Sequence, residues 1–258
     1  MQDIMNRLRA AQGKVSLYFK PLDSREAPLV WNADVPMGAA SVIKLPIMIE
    51  AFRQIEAGML DENQLYALRP EQKLPPCGVL TFMHDGVNVT LMDLITLMII
   101  VSDNTATNMV IDIVGMENVN ATLRACGATG TILRRRLFDR EASARGVQNE
   151  ITARDIGRLL EGLYAGQIVS PAASKRMLDI LSAQQLNGKF PFFLDCDIAH
   201  KTGEDDGITH DAGIIYAPRP FVLCMFSNAT DVPAFERLMQ DAAKAFYDSS
   251  CDRLPSSL

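Results

Sequence analysis

Alternating, strand-like patterning occupies only the two ends of this chain, and that placement constrains the fold more than any other feature. Val15 to Lys20 reads as a strand, Pro21-Leu22-Asp23 as a turn, and a second strand runs through Val30 and Trp31. Together they predict a hairpin at a sheet edge. The last third returns to strands: Asp197 to Lys201, a turn over Gly203 to Gly207, Ala212 to Tyr216, and Phe221 to Phe226 after the break at Pro218-Arg219-Pro220. Between these ends the period is helical. Ser41 to Ala57 is apolar at helical spacing and stops at Gly58, and Leu91 to Val101 is nearly all apolar, which implies burial on every side. Thr105 to Val114, Ala153 to Leu163 and Pro171 to Ser182 add further helices, while Arg134 to Asn149 reads as a long loop. A short helix, Met1 to Ala11, opens the chain and an amphipathic one, Val232 to Tyr247, closes it. The expectation is an α/β fold of the α+β type. Residues 1–38 and 186–258 form an antiparallel sheet domain with flanking helices, and residues 39–185 form an all-helical domain inserted into it. A cleft between the two is the expected place for a ligand.

Composition removes several classes of partner. At 258 residues and 48% hydrophobic, the chain can bury a large core. A net charge of −6 argues against nucleic acid, whose binding needs a basic stripe. The one basic cluster, Arg134, Arg135, Arg136 and Arg140, has no Gly-rich loop beside it and reads as a solvated loop rather than a phosphate site. The longest apolar run, Leu94 to Val101, is far short of the ~20 residues that span a bilayer, so no membrane partner is expected. The first residues carry Asp3, Arg7 and Arg9 and lack the apolar stretch of a signal peptide. The chain as written is therefore expected in the cytoplasm, or in the periplasm or outside the cell if a leader was removed. Five scattered cysteines form no Cys-x-x-Cys pair and read as free thiols, with Cys224 a buried hydrophobe. No His-Glu-x-x-His or clustered His/Cys set is present, so no metal and no cofactor is implied.

The chemistry sits in three short segments. Ser41-Val42-Ile43-Lys44 puts a hydroxyl and an amine three residues apart at a helix start, where side chains share one face, about 5–6 Å apart at Cβ. A serine becomes a nucleophile when a base takes its proton. A lysine can be that base if burial or nearby positive charge lowers its pKa. Ser102-Asp103-Asn104 breaks a buried helix. It can simply cap the next one, or it can place Ser102 in the cleft as a proton relay and Asn104 as an amide for a substrate carbonyl. Lys201-Thr202-Gly203 ends a strand. The lysine can face an anionic substrate, Thr202 can donate to a carboxylate, and Gly203 lets a ligand backbone lie against the strand. A Ser-His-Asp triad is a weak competitor, because only His84, His200 and His210 exist and no Gly-x-Ser-x-Gly elbow is present. His200 reads as structural, and His84-Asp85-Gly86 and His210-Asp211 as turns.

With these three segments in order, the chain resembles the class A β-lactamases and the wider family of penicillin-recognising serine hydrolases. The stretch Leu94-Ile95-Thr96-Leu97-Met98-Ile99-Ile100-Val101-Ser102-Asp103-Asn104-Thr105-Ala106 is typical of class A. The resemblance implies a β-lactamase/transpeptidase-like fold with the site between its two domains. It implies Ser41 as nucleophile, Lys44 and Ser102 as proton carriers, Lys201 and Thr202 as holders of the substrate carboxylate, and an oxyanion between the backbone N–H groups of Ser41 and Glu204. Class A enzymes release the acyl group with a glutamate in the pattern Glu-x-x-x-Asn. The best match is Glu141, but Arg145 stands where asparagine is expected, and Asp139 and Glu150 are second choices. The arginine that many members carry on the strand after the third motif is missing from Thr209-His210-Asp211-Ala212. The resulting expectation is a serine β-lactamase-type hydrolase acting on a small β-lactam or peptidoglycan-like substrate, as a monomer. The alternatives are a D,D-peptidase or esterase of the same fold, or a penicillin-binding sensor that acylates and stops.

Overall fold

In the computed structural model, which describes residues 2–75 and 77–252, both ends of the chain build one sheet. Helix α1 (Gln2–Ala10) leads into β1 (Lys14–Pro21), β2 (Leu29–Trp31) and the short β3 (Met37–Gly38). The helical middle follows: α2 (Lys44–Glu56), the small hairpin of β4 (Leu65–Ala67) and β5 (Asn88–Thr90), α3 (Leu91–Ile100), α4 (Asn104–Val114) and α5 (Met116–Ala125). Next come α6 (Arg140–Ala144), β6 (Glu150–Ile151), α7 (Ala153–Tyr164) and α8 (Pro171–Ser182). The chain returns to the sheet with β7 (Ile198–Asp205), β8 (Ile208–Ile215) and β9 (Phe221–Asn228), and ends in α9 (Val232–Asp252). The strand order is β2-β1-β9-β8-β7, with every neighbour antiparallel, so β7 is an edge.

Alternation along the strands gives the sheet two apolar faces. Leu17, Ile198, Ile215, Leu223 and Met225 pack on one side with Ile4 and Leu8 of α1 and Phe235, Met239 and Phe246 of α9. Tyr18, Ala199, Ala212, Cys224 and Phe226 face the other way and share one cluster with Ile47 of α2, Leu94 of α3 and Ile156 of α7. The strand-to-helix switches near residues 38 and 186 are therefore crossed by a continuous core. Gly157 shows how close the contact is: a Cβ there would lie 2.3 Å from Tyr18 Cδ1, so α7 rests on β1 only because that side chain is missing. On the far side of the helical layer, buried Glu50 of α2 accepts hydrogen bonds from Thr122 of α5 at 2.5 Å and from Gln54 at 2.6 Å. Burial opposes its ionisation, but the bonds from Arg53, Thr122 and Gln54 outweigh that and hold its pKa below the usual value. This network ties the helix that follows Ser41 to its neighbour.

Three local readings change. The helix expected to start at Ser41 begins as a tight 3-10 turn, Ala40–Ile43, before α2. The turn expected over Gly203 to Gly207 is instead strand through Asp205, closed by Asp206-Gly207 with Gly207 at φ +64°. A two-residue Asp-Gly connection suffices for a hairpin, so His210 and Asp211 belong to β8 and are buried rather than lying in a turn. The loop from Arg134 contains one short helix, α6. The opening helix spans Gln2–Ala10, and Met1 lies outside the described residues.

Candidate active site

Ser41 lies in the 3-10 turn, half-buried, with Ala40 before it at φ +41°. A left-handed alanine costs of order 1–3 kcal/mol and persists only where the surroundings hold it. The edge strand β7 supplies part of that hold. Gly203 faces the turn so closely that a Cβ would meet Val42 Cγ2 at 3.1 Å and Ala40 Cβ at 3.3 Å. Gly203 thus lets an edge strand, with unpaired backbone groups, lie against the segment that carries Ser41. Ser41 opens on a cleft of about 440 Å³, which Asn104 and Glu204 also line.

Beneath that cleft two lysines are buried together. Lys44 Nζ donates to Ser102 O at 2.7 Å, Ser102 Oγ at 3.0 Å and Asn104 Oδ1 at 2.9 Å. Lys201 Nζ reaches the same Ser102 Oγ at 3.1 Å and Thr202 O at 3.0 Å. Lys44 is 0% and Lys201 1% exposed. Burial, and next the neighbouring Lys201 charge, hold Lys44 well below the ordinary lysine range. Burial likewise depresses Lys201 to about 7, opposed by Asp211 and assisted by Lys189. Ser102 is itself left-handed, at φ +56°, in the break between α3 and α4. The first, second and third sequence segments therefore converge. Ser41 Oγ makes no hydrogen bond to these amines among the described residues; catalytic contacts often tighten only when substrate is bound.

Asp103 caps α4, as its sequence position suggests, and has a second part that the sequence did not reveal. Its Oδ1 caps α4 by accepting from Ala106 N at 2.8 Å, and its Oδ2 accepts from Val79 N at 2.6 Å and Leu80 N at 2.8 Å. It thus fixes the lip of the cleft around Cys77, whose carbonyl accepts from Asn104 N at 3.2 Å. Lys189 was also missed. It is buried, and it braces β7 from behind through Gly203 O at 3.3 Å, His210 O at 3.2 Å and Glu204 Oε1 at 3.0 Å. Thr202 lies opposite Asp211 in the register, so it shares a face with His200 and Asp211. That buried pair, His200 Nδ1 to Asp211 Oδ1 at 2.9 Å, supports the structural reading of His200. His210 donates from Nε2 to Gly38 O at 2.7 Å and accepts at Nδ1 from Ser227 N at 3.2 Å. Burial pushes its pKa down to about 4.

The loop carboxylates divide. Glu141, the first choice from sequence, is exposed on α6 and does not line the cleft, because the turn of that helix points it outward while Arg140 and Ser143 line the space. Glu150 is paired with Arg134 at 2.5 Å. Asp139 does line the cleft, with its Oδ1 accepting from Ala142 N at 2.8 Å as the cap of α6. Buried Asn149 braces the loop: its Oδ1 accepts from the N–H groups of Arg134 and Arg135 at 2.8 and 3.0 Å, and its Nδ2 donates to Arg135 O at 3.0 Å. Among the described residues no helix is long and apolar enough to cross a membrane.

Several solved structures share this fold. A β-lactamase from Sphaerobacter thermophilus is 29% identical, with 98% of each chain covered and a TM-score of 0.89. PBP-A is 29% identical over 98% of this chain and 96% of its own, with a TM-score of 0.88. A mutant of PBP-A, solved as its acyl-enzyme complex with penicillin G, is 28% identical over 98% of this chain and 96% of its own, with a TM-score of 0.87. No curated protein matches the chain. The β-lactamase enzyme family matches residues 1–250, and the chain belongs to that family.

Proposed function

We propose that the protein is a serine hydrolase of the β-lactamase type, in which Ser41 is acylated by a β-lactam or a peptide-like acyl donor and water later frees the product. One observation carries this reading: two buried lysines share Ser102 Oγ beside a cleft that Ser41 and Asn104 line. A neutral Lys44 keeps two N–H donors for Ser102 O and Asn104 Oδ1, and its lone pair is then free to receive a proton. Ser41 Oγ bonds to the carbonyl carbon as its proton passes to Lys44. The C–N bond breaks, and the proton moves through Ser102 to the departing nitrogen. Lys201 and Thr202 are the proposed holders of the substrate carboxylate, and Asn104 of its amide carbonyl. The backbone N–H groups of Ser41 and Glu204 are the proposed oxyanion donors; losing one such donor typically costs ~10²–10³ in rate.

Release of the acyl group rests on the loop. Since Glu141 is outside the cleft, Asp139 is the loop carboxylate proposed to activate water. Its commitment to capping α6 favours a slow second step, and with it the reading of a penicillin-binding acyl-enzyme that persists. Intact-mass spectra over time, with a chromogenic cephalosporin, separate these outcomes. Continued turnover supports the lactamase, a lasting single adduct supports the slow-release protein, and ester cleavage without lactam reaction supports an esterase. Ser41→Ala should abolish adduct formation; an adduct on that variant defeats the proposal.

A further inference from the structure

The three consecutive arginines over the cleft are not equivalent. Arg134 is paired with Glu150 at 2.5 Å and Arg136 with Asp112 at 2.9 Å, and neither lines the cleft. Arg135 does line it and forms no ion pair among the described residues. Neutral oxygens alone hold its guanidinium: Nε donates to Val147 O at 3.0 Å, and the two terminal nitrogens donate to Gln148 Oε1 at 2.8 Å and Arg136 O at 3.2 Å. A guanidinium has five N–H groups, so these bonds leave N–H groups of Arg135 without a partner. Gln148 is held in turn, donating to Ser143 Oγ at 3.0 Å. Arg140, at the start of α6, lines the same cleft and likewise enters no ion pair among the described residues.

Three carboxylates line the same cleft, and none pairs with Arg135 or Arg140 among the described residues. Glu204 faces Lys189 at 3.0 Å, Asp139 caps α6, and Asp205 Oδ1 accepts from Asp206 N at 2.9 Å. The loop wall therefore presents two guanidinium groups that enter no ion pair among the described residues, one of them held in orientation, in the cleft that Ser41 lines.

We propose that Arg135 and Arg140 form an anion-binding wall, and that the protein favours acyl substrates bearing a second carboxylate, in addition to the one proposed for Lys201 and Thr202. The inference rests on the acyl-transfer reading above and names the substrate class for it. Arginine suits the task because its charge is permanent and its planar fork matches a carboxylate. The neutral acceptors have already restricted Arg135, so less rotamer freedom is lost on binding.

Calorimetry on Ser41→Ala reads binding without acylation. That variant should bind the α-carboxylated form of benzylpenicillin roughly tenfold more tightly than benzylpenicillin itself, as one charged hydrogen bond allows. Adding Arg135→Gln and Arg140→Gln should erase the difference. Arg140→Gln alone, at a side chain with no hydrogen bond to lose among the described residues, should narrow it, which guards against a loop disturbed by the loss of Arg135. Equal affinity for the two penicillins, or a preference that survives both substitutions, overturns the proposal. Mass spectra of the unmodified protein score the acyl-transfer reading separately. Neither an adduct nor a hydrolysed product with either penicillin would defeat that reading, while the preference in Ser41→Ala still decides the anion wall.

Discussion

The two walls of the cleft are built on different principles. The wall of β7, the Ser41 turn and the α3–α4 break is an extension of the core. Its lysines are buried, its serine and alanine backbones are left-handed, and Gly203 is packed to within van der Waals limits of its neighbours. The opposite wall is a loop held chiefly by side-chain bonds to backbone, from Asn149 and Arg135 within it and from Asn108 of α4. A group that must change its protonation state gains from a dry, rigid setting that shifts its pKa. A guanidinium keeps its charge without any such setting and can stay near solvent. The division predicts that changes to the first wall alter the chemistry by orders of magnitude, and that changes to the second alter preference or release.

Lys44→Met tests this most severely. Methionine fills similar volume but cannot take a proton, so acylation should fall by ~10²–10⁴, the range of general-base catalysis. Stopped-flow acylation rates check it, and a fall of less than tenfold would place the base elsewhere.

Lys201→Met should cost less in rate, about 10²-fold if it stabilises developing or bound negative charge, and should raise stability. The sign follows from the direction of its shift. Lys201 sits at about 7 when folded and near 10.5 when unfolded. The unfolded chain therefore holds the extra proton between those values, and stability rises with pH across that window by up to ~1.4 kcal/mol per unit. Below about pH 7 the full penalty remains. The variant should accordingly melt higher than the parent at pH 6 and show a flatter profile from 7 to 10. Acylation of anionic substrates by the parent should decline above about pH 7 as the ammonium is lost. Equal melting profiles would mean that Lys201 is not the buried, weakened base that the first wall requires.

Much of the first wall was legible before any coordinates. Hydroxyl and amine spacing, a polar break after a nearly all-apolar helix, and a Lys-Thr-Gly at a strand are local signals, and burial of the surrounding residues follows from their apolar periods. The second wall was not. Glu141 looked like the deacylating group because spacing along a chain without regular period says nothing about which way a short helix turns its side chains. Arg134, Arg135 and Arg136 looked alike because their difference lies in partners 12 to 24 residues away, Val147, Gln148, Glu150 and Asp112. Gly203 to Gly207 was read as a turn because glycines and aspartates cluster there. Pairing with β8 overrides that preference through Asp205.

The smallest effect expected is at Glu141, and it is the sharpest test of the loop's role. Asparagine caps a helix nearly as well as aspartate, so Asp139→Asn should keep α6 while removing a base. Deacylation should then slow by ~10-fold or more, and by up to ~10⁴ if Asp139 acts alone. Glu141→Gln removes an exposed charge outside the cleft, and such surface changes stay within about 0.5 kcal/mol, or a factor of about two. Following the adduct by intact mass after a short pulse of cephalosporin gives both release rates in one experiment. If Glu141→Gln traps the adduct and Asp139→Asn does not, α6 must turn during the reaction to carry Glu141 inward. The loop would then be a moving part of the chemistry rather than a braced surface of charge, and the contrast between the two walls would fail.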